Sequence, residues 1–299
     1  MIGLFLALLA GLFFAVGNIL LRRATFRTGE VFSSVLISAL VGLGLFGMVL
    51  LTSRQTNGLK LVSSSGLGAL AAAGIVHFVI GRLGAYTGLR LIGTNRSVPI
   101  LCSSNIIAAL IAVIVLGESI TVFLGIALAL VVGGVILVGI VGNADIASKG
   151  MEEGAQLKGI MVVLVTTVFW GSSPTLIKIG LLEVDSQFQA IFVSYVAASL
   201  VVGIIALYPG NFQKMRRLTF PSLLYLITGG VCLALAQLSV YSALVTTPVS
   251  MVAPIVSSQS LMIFPISYLV NRKIEVFGVR TVLGAIAVVV GTALIFWIV

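Results

Sequence analysis

The 299-residue chain is 60% apolar and only 8% charged, and it carries a net charge of +9. A soluble domain has roughly 45–50% apolar and about 25% charged residues, so this composition excludes a water-soluble globule and points to lipid as the solvent. The basic residues fall mainly at the ends of apolar runs, where they orient helices and meet anionic headgroups; nucleic acid is excluded as a partner.

A spanning helix needs about 20 apolar residues to cross a hydrocarbon core roughly 30 Å thick. Ten runs qualify in chain order: 2–21, 31–51, 66–89, 97–116, 119–141, 158–181, 187–208, 219–244, 249–270 and 277–298. The first ends at Arg22 and Arg23 without a small-residue cleavage site, so it is expected to span rather than to be removed as a signal peptide. The longest polar stretch, 142–157, carries Asp145, Lys149, Glu152 and Glu153 and reads as a linker between residues 1–141 and 158–299, five runs in each. The two cysteines, Cys102 and Cys232, lie inside apolar runs without CxxC or Cys/His spacing, so neither a disulfide nor a metal site is expected, and no cofactor.

The two halves match. At a shift of 155 residues and without a gap, Gly81–Ser104 lies over Ala236–Gln259. Leu83/Leu238, Tyr86/Tyr241, Leu89/Leu244, Pro99/Pro254, Ile100/Ile255 and Ser103/Ser258 are identical pairs, and Gly117-Glu118 before the fifth run answers to Ile274-Glu275 before the tenth. Five helices is an odd number, so the second half enters the membrane inverted relative to the first. The expected fold class is therefore all-α: a polytopic membrane protein whose ten transmembrane helices form two inverted five-helix repeats. Secondary transporters use this architecture to place a site near the midplane.

Phe169-Trp170-Gly171-Ser172, Tyr86-x-x-Leu89 with Tyr241-x-x-Leu244, the Pro99 and Pro254 segments and the Glu118 and Glu275 helix starts resemble, in this order and in two copies, the EamA-type ten-helix members of the drug/metabolite transporter superfamily. The resemblance implies export or exchange of small metabolites or drugs, or of lipid-linked sugars in some branches. It also implies a central cavity lined by helices one, three, four, six, eight and nine. One departure is visible, since Ala15-Val16-Gly17-Asn18 stands where the second copy has Trp170-Gly171-Ser172-Ser173.

Polar groups at membrane depth are costly unless they pair or face a cavity, which makes them the candidate substrate-binding residues. Arg82 is the sharpest, deep in the third run with Tyr86 one turn on. It reads either as a cation facing a cavity and an anionic or carboxylate-bearing substrate, or as a snorkelling side chain; no Asp or Glu lies inside any apolar run to neutralise it. Asn18 shares a face with Arg22, and Gln237, the repeat partner of Arg82, shares one with Tyr241. Ser103, Ser104 and Asn105 answer to Ser258, Gln259 and Ser260. Ser173 and Trp170 complete the set, with Trp170 read equally as a cavity wall or as packing. Interhelical hydrogen bonds, typically worth about 0.6–2 kcal/mol, are the competing explanation for each of these. His77 is the only histidine; on an α-helical wheel it points away from Arg82 and is expected to be a packed polar group rather than a proton relay. Pro99, Pro174, Pro254 and Pro265 invite kinks, Gly125, Gly133, Gly134, Gly284 and Gly291 suit close helix packing, and Glu118 and Glu275 are expected to cap helices five and ten.

No acid lies in residues 2–21, which disfavours the proton-for-cation antiport of the related small multidrug exporters. The basic residues concentrate after odd-numbered runs, which places the termini outside the cytoplasm by the positive-inside rule; the resemblance places them inside, and the orientation stays open. With one histidine and no buried acid, intramembrane hydrolysis is disfavoured and no enzyme is expected. The expected function is a secondary transporter, exporter or exchanger, of a small polar metabolite across the cytoplasmic membrane. The alternative is an exporter of hydrophobic drugs or a flippase of a lipid-linked substrate. Expected partners are the small-molecule substrate and the lipid bilayer, with monomer and homodimer both open.

Overall fold

The structure is a computed structural model that describes residues 1–28, 31–53, 63–92, 97, 100, 101, 103–141, 153–208, 210, 218–259, 261, 262 and 279–298. Cys102, Pro99, Ser260, Pro265, Glu275 and the side chain of Arg22 lie outside the described residues.

Ten helices follow in order: α1 (Ile2–Thr28), α2 (Val31–Ser53), α3 (the consecutive segments Ser64–Gly74, Ile75–Gly81 and Arg82–Ile92), α4 (Ser104–Leu116), α5 (Val122–Val141), α6 (Glu153–Leu181), α7 (Gln187–Ala206), α8 (Phe220–Thr246), α9 (Val249–Ser257) and α10 (Val279–Ile298). Among the described residues, six of them, α1, α2, α3, α6, α7 and α8, have both the length and the hydropathy to cross a membrane. The polarity is that of a protein in lipid. Large apolar side chains such as Ile114, Leu207 and Trp297 face outward, while Arg82, Asn105, Thr167, Ser173, Ser194 and Gln237 are buried.

Helix contacts repeat under exchange of each helix with the one five later. α1 packs along α8 and touches α9; α6 packs along α3 and touches α4. α2 meets α8 as α7 meets α3, and α2–α7, α4–α9 and α5–α10 are pairs of equivalent helices. The halves are therefore interleaved rather than set side by side: the first helix of each is held by the third and fourth of the other. At the α5–α10 seam a Cβ on Gly134 would stand 2.6 Å from the Gly284 carbonyl oxygen, and one on Gly291 2.8 Å from that of Ala127. Only glycine permits so close an approach. Gly125 and Gly133, expected at the same seam, face open space instead.

Candidate functional site

The middle of α3 is wound as a π-helix over Ile75–Gly81. Such i→i+5 turns are rare and recur at functional sites. The wider turn brings residues five apart toward one side. His77, expected to be a packed polar group, is one: its imidazole sits among Trp170, Ser173 and Gln237.

Trp170 Nε1 donates to His77 Nδ1 at 3.1 Å, and Ser173 Oγ lies 3.2 Å from the same nitrogen. An indole N–H can only donate, so Nδ1 is the accepting nitrogen and Nε2 carries the imidazole proton. Nε2 meets the nitrogen end of the Gln237 side-chain amide, whose oxygen is buried without a partner among the described residues; turning the amide end for end gives that proton its acceptor. The Trp170 ring also packs edge-on to the imidazole, with centroids 5.8 Å apart. This node ties α3 of the first half to α6 and α8 of the second.

Arg82 begins the segment after the π turn and is 6% exposed, so it does not snorkel. Its Nη1 donates to Ser38 Oγ of α2 at 2.9 Å, and that hydroxyl in turn donates to the Val35 carbonyl at 3.0 Å. The guanidinium carbon stands 5.2 Å from the centroid of the Phe78 ring. Phe78 stacks on Tyr195 of α7 at 4.3 Å, and Tyr195 meets Phe46 of α2 at 5.5 Å. Gly42 makes room for this column, since a Cβ there would stand 2.1 Å from Tyr195 Cε1. Tyr86, one turn beyond Arg82 on α3, is half-buried.

The fourth helix of each half is interrupted at the same repeat position. Ser103 and Ser258 each fold their hydroxyl back onto the carbonyl three residues earlier, Ile100 at 2.5 Å and Ile255 at 2.6 Å, and each backbone N–H makes a three-residue turn to that same carbonyl at 3.1 Å. These two serines, expected to face the substrate, are thus spent locally. Their neighbours bridge the halves. Ser257 Oγ donates to Asn105 Oδ1 at 3.0 Å, and Asn18 Nδ2 donates to Gln259 Oε1 at 3.2 Å. Thr167 of α6 reaches the Ile100 carbonyl at 3.2 Å. Tyr241 lies apart from this pathway, its hydroxyl donating to Ser194 Oγ at 2.7 Å while Ser194 donates to the Leu70 carbonyl at 2.7 Å.

The elbow between α8 and α9 holds a feature that sequence reasoning misplaced. Glu118, expected to cap α5, instead accepts from the backbone N–H groups of Val249 and Ser250 at 2.7 and 3.0 Å, capping α9 across the repeat boundary. Thr121 takes the capping role at α5, accepting from the Leu124 N–H at 3.2 Å. Gly117, at a φ of 67°, turns the chain so that Glu118 can reach over. Lys178 of α6 donates to the carbonyls of Leu244 and Val245 at the C-terminal end of α8. A cation at a helix C-terminus and a carboxylate at the next helix N-terminus both suit the dipoles. A pocket of about 280 Å³ opens beside them, lined by Leu116, Glu118, Lys178, Leu182, Thr246, Thr247 and Pro248.

The model of the EamA-like transporter family matches residues 1–140 and again 157–297. The chain belongs to the EamA-like transporter family. It is a multi-pass membrane transporter and not an enzyme. No curated protein matches this EamA-like transporter. Among chains of known structure, a crystal structure of a protein 12% identical to it aligns at a TM-score of 0.77, covering 99% of this chain and 96% of its own. At that identity the likeness concerns the fold alone.

Of the residues singled out in the sequence, the structure joins Trp170, Ser173 and Gln237 through His77, joins Asn18 to Gln259, and buries Asn105 and Arg82 in the interior. Sequence reasoning passed over Ser38, Phe78, Ser194, Tyr195 and Ser257. Each is an ordinary helix residue whose polarity or ring matters only once another helix crosses it.

Proposed function

We propose that this EamA-like transporter is a secondary transporter, exporter or exchanger, that moves a small polar metabolite across the cytoplasmic membrane by alternating access. Its two halves, residues 1–141 and 158–299, are joined by the linker 142–157 and work about a site between them. One observation carries the reading: two interrupted helices, α4 and α9, meet at the crossing of the repeats, and the polar side chains beside their breaks bond across it. Interrupted helices at a repeat interface free backbone groups where they line a pathway, at the depth where a carried solute must be held. The proposed contact residues are Arg82, Tyr86, Asn18, Asn105, Trp170, Ser173, Gln237 and Gln259, with Ser103, Ser258 and Tyr241 shaping the helices that present them. A polar lining of this kind favours a polar solute over a hydrophobic drug.

The test is solute counterflow. Purified protein in liposomes loaded with a panel of unlabelled metabolites is expected to accumulate the matching labelled compound, and Gln237→Leu to slow that accumulation at least several-fold. Folded protein that moves no member of a broad panel would overturn the reading. Flux blocked only by lipid-linked or hydrophobic competitors would move it to the flippase or drug-exporter alternative.

A further inference from the structure

The buried guanidinium of Arg82 has a donor to spare. Nη1 is bonded to Ser38, but Nη2 is fully enclosed and has no hydrogen-bond partner among the described residues. Ser38 is a neutral acceptor whose own proton is committed to Val35. The Phe78 ring face adds an attraction of the cation–π kind, and no carboxylate lies within any of the ten apolar runs. Holding an ion out of water is costly unless a counter-charge and hydrogen bonds compensate it, and one hydroxyl plus a ring face do not. The hydroxyl of Tyr195, on the ring stacked against Phe78, is likewise buried without a partner. A cationic fork and a phenol, both unspent and both set on one aromatic column, are complementary to an acceptor-rich, negatively charged group with an apolar body beside it.

We propose that Arg82, Ser38, Phe78 and Tyr195 form an anion-recognising subsite, so that the transported metabolite is a small organic anion whose carboxylate or phosphate is held by Arg82. The assignment rests on the transporter reading given above and narrows its substrate class. When the packed helices part to admit the solute, Nη2 takes an oxygen of the anion, the apolar part of the solute lies along the edge of the Phe78–Tyr195 column, and the anion supplies the counter-charge that the helices do not. Repeat geometry makes the subsite one-sided, because the residues at the equivalent positions of the other half are Gln237 for Arg82, Leu233 for Phe78 and Val193 for Ser38.

Matched pairs of probes test this. Benzoate and benzamide, phenyl phosphate and phenol, and inorganic phosphate alone are added to the full-length protein, in neutral nanodiscs for thermal shift and in neutral liposomes for counterflow. Phosphatidylglycerol vesicles are a separate arm. The acids are expected to stabilise the protein and to compete for flux at least tenfold more strongly than their neutral partners, Arg82→Gln to abolish that preference, and Arg82→Lys to keep part of it. The comparison of acid with amide on the unaltered protein needs no variant, so a poorly folded Arg82→Gln does not remove the test. Equal effects of acid and neutral partners, or a preference for acids that survives Arg82→Gln, would overturn the anion subsite while leaving transport of a neutral solute intact. Stabilisation by phosphatidylglycerol with none by the soluble acids would also overturn it, and would assign the arginine to a lipid phosphate. An absence of both binding and flux across all probes and a broad neutral panel would overturn both readings.

Discussion

The two repeats share a scaffold but not a chemistry. α1 against α8 is matched by α6 against α3, and the α4–α9 and α5–α10 pairs relate each half to its copy. The charge, the histidine and the stacked rings nevertheless all belong to one side. At the 155-residue shift, His77 answers to Cys232, Phe78 to Leu233, Arg82 to Gln237, Trp170 to Ala15 and Tyr195 to Leu40. On the transport mechanism proposed above, symmetry serves the motion, because two interleaved halves of like shape can rock about a common centre. On the anion subsite proposed above, recognition needs asymmetry, because a solute with one charged end is met by a cation on one side and not on the other. The comparison teaches that duplication repeats the frame while a few interior positions differ between its copies.

Exchanging the two sides is the strongest way to break this comparison. The double variant Arg82→Gln with Gln237→Arg keeps the interior composition, but it sets the guanidinium at the Gln237 position beside His77 instead of beside Phe78 and Ser38. Counterflow is expected to fall to background, at least tenfold below the unaltered protein, and recovery would show that any interior cation suffices. The single change Arg82→Met is expected to lose transport while stability is kept or raised by about 1–4 kcal/mol, since an apolar residue replaces an uncompensated buried charge; thermal unfolding in detergent without ligand reads the sign.

The symmetric part sharpens the contrast. Gly134→Leu and Gly291→Leu push side chains into the backbone of the partner helix at the α5–α10 seam, and each is expected to cost about 1–3 kcal/mol by the same measurement. Similar losses from the two copies would confirm the seam as shared scaffold. Trp170→Phe removes one donor from His77 Nδ1 and leaves the ring volume nearly filled, for a loss of about 1–3 kcal/mol in stability. Its counterpart change Ala15→Ser, where no such node exists, should be near neutral. The smallest effect is expected at Glu118→Gln, which keeps an acceptor for the Val249 and Ser250 N–H groups but drops the charge facing the α9 dipole, at about 0.3–1 kcal/mol.

Arg82 was legible in the sequence because a basic residue deep in an apolar run has few explanations, and Asn18, Asn105, Gln237 and Gln259 were legible for a weaker form of the same reason. His77 was legible as a packed polar group, but its partners Trp170, Ser173 and Gln237 come from other helices, and the π segment at Ile75–Gly81 that presents it leaves no mark in the residue pattern. Ser103 and Ser258 were read as cavity groups from their repeat register, yet a serine at a helix interruption finds a carbonyl of its own helix within reach. Glu118 was assigned to the nearest helix in sequence, whereas the turn at Gly117 carries it to the nearest helix in space.

What the sequence by itself determined is therefore the set of ten apolar helices, their duplication and inversion, and the presence of one uncompensated cation among them. Each of these follows from local hydropathy and from the parity of five, which need no partner to be read. Only the tertiary structure decided which polar groups meet, that the first helix of each half is held by the other's third and fourth helices, and that one enclosed guanidinium nitrogen has no partner among the described residues. These depend on how helices cross and on one widened turn, and a crossing is set by the close packing of side chains and glycines from segments far apart in the chain rather than by any one segment's own preference.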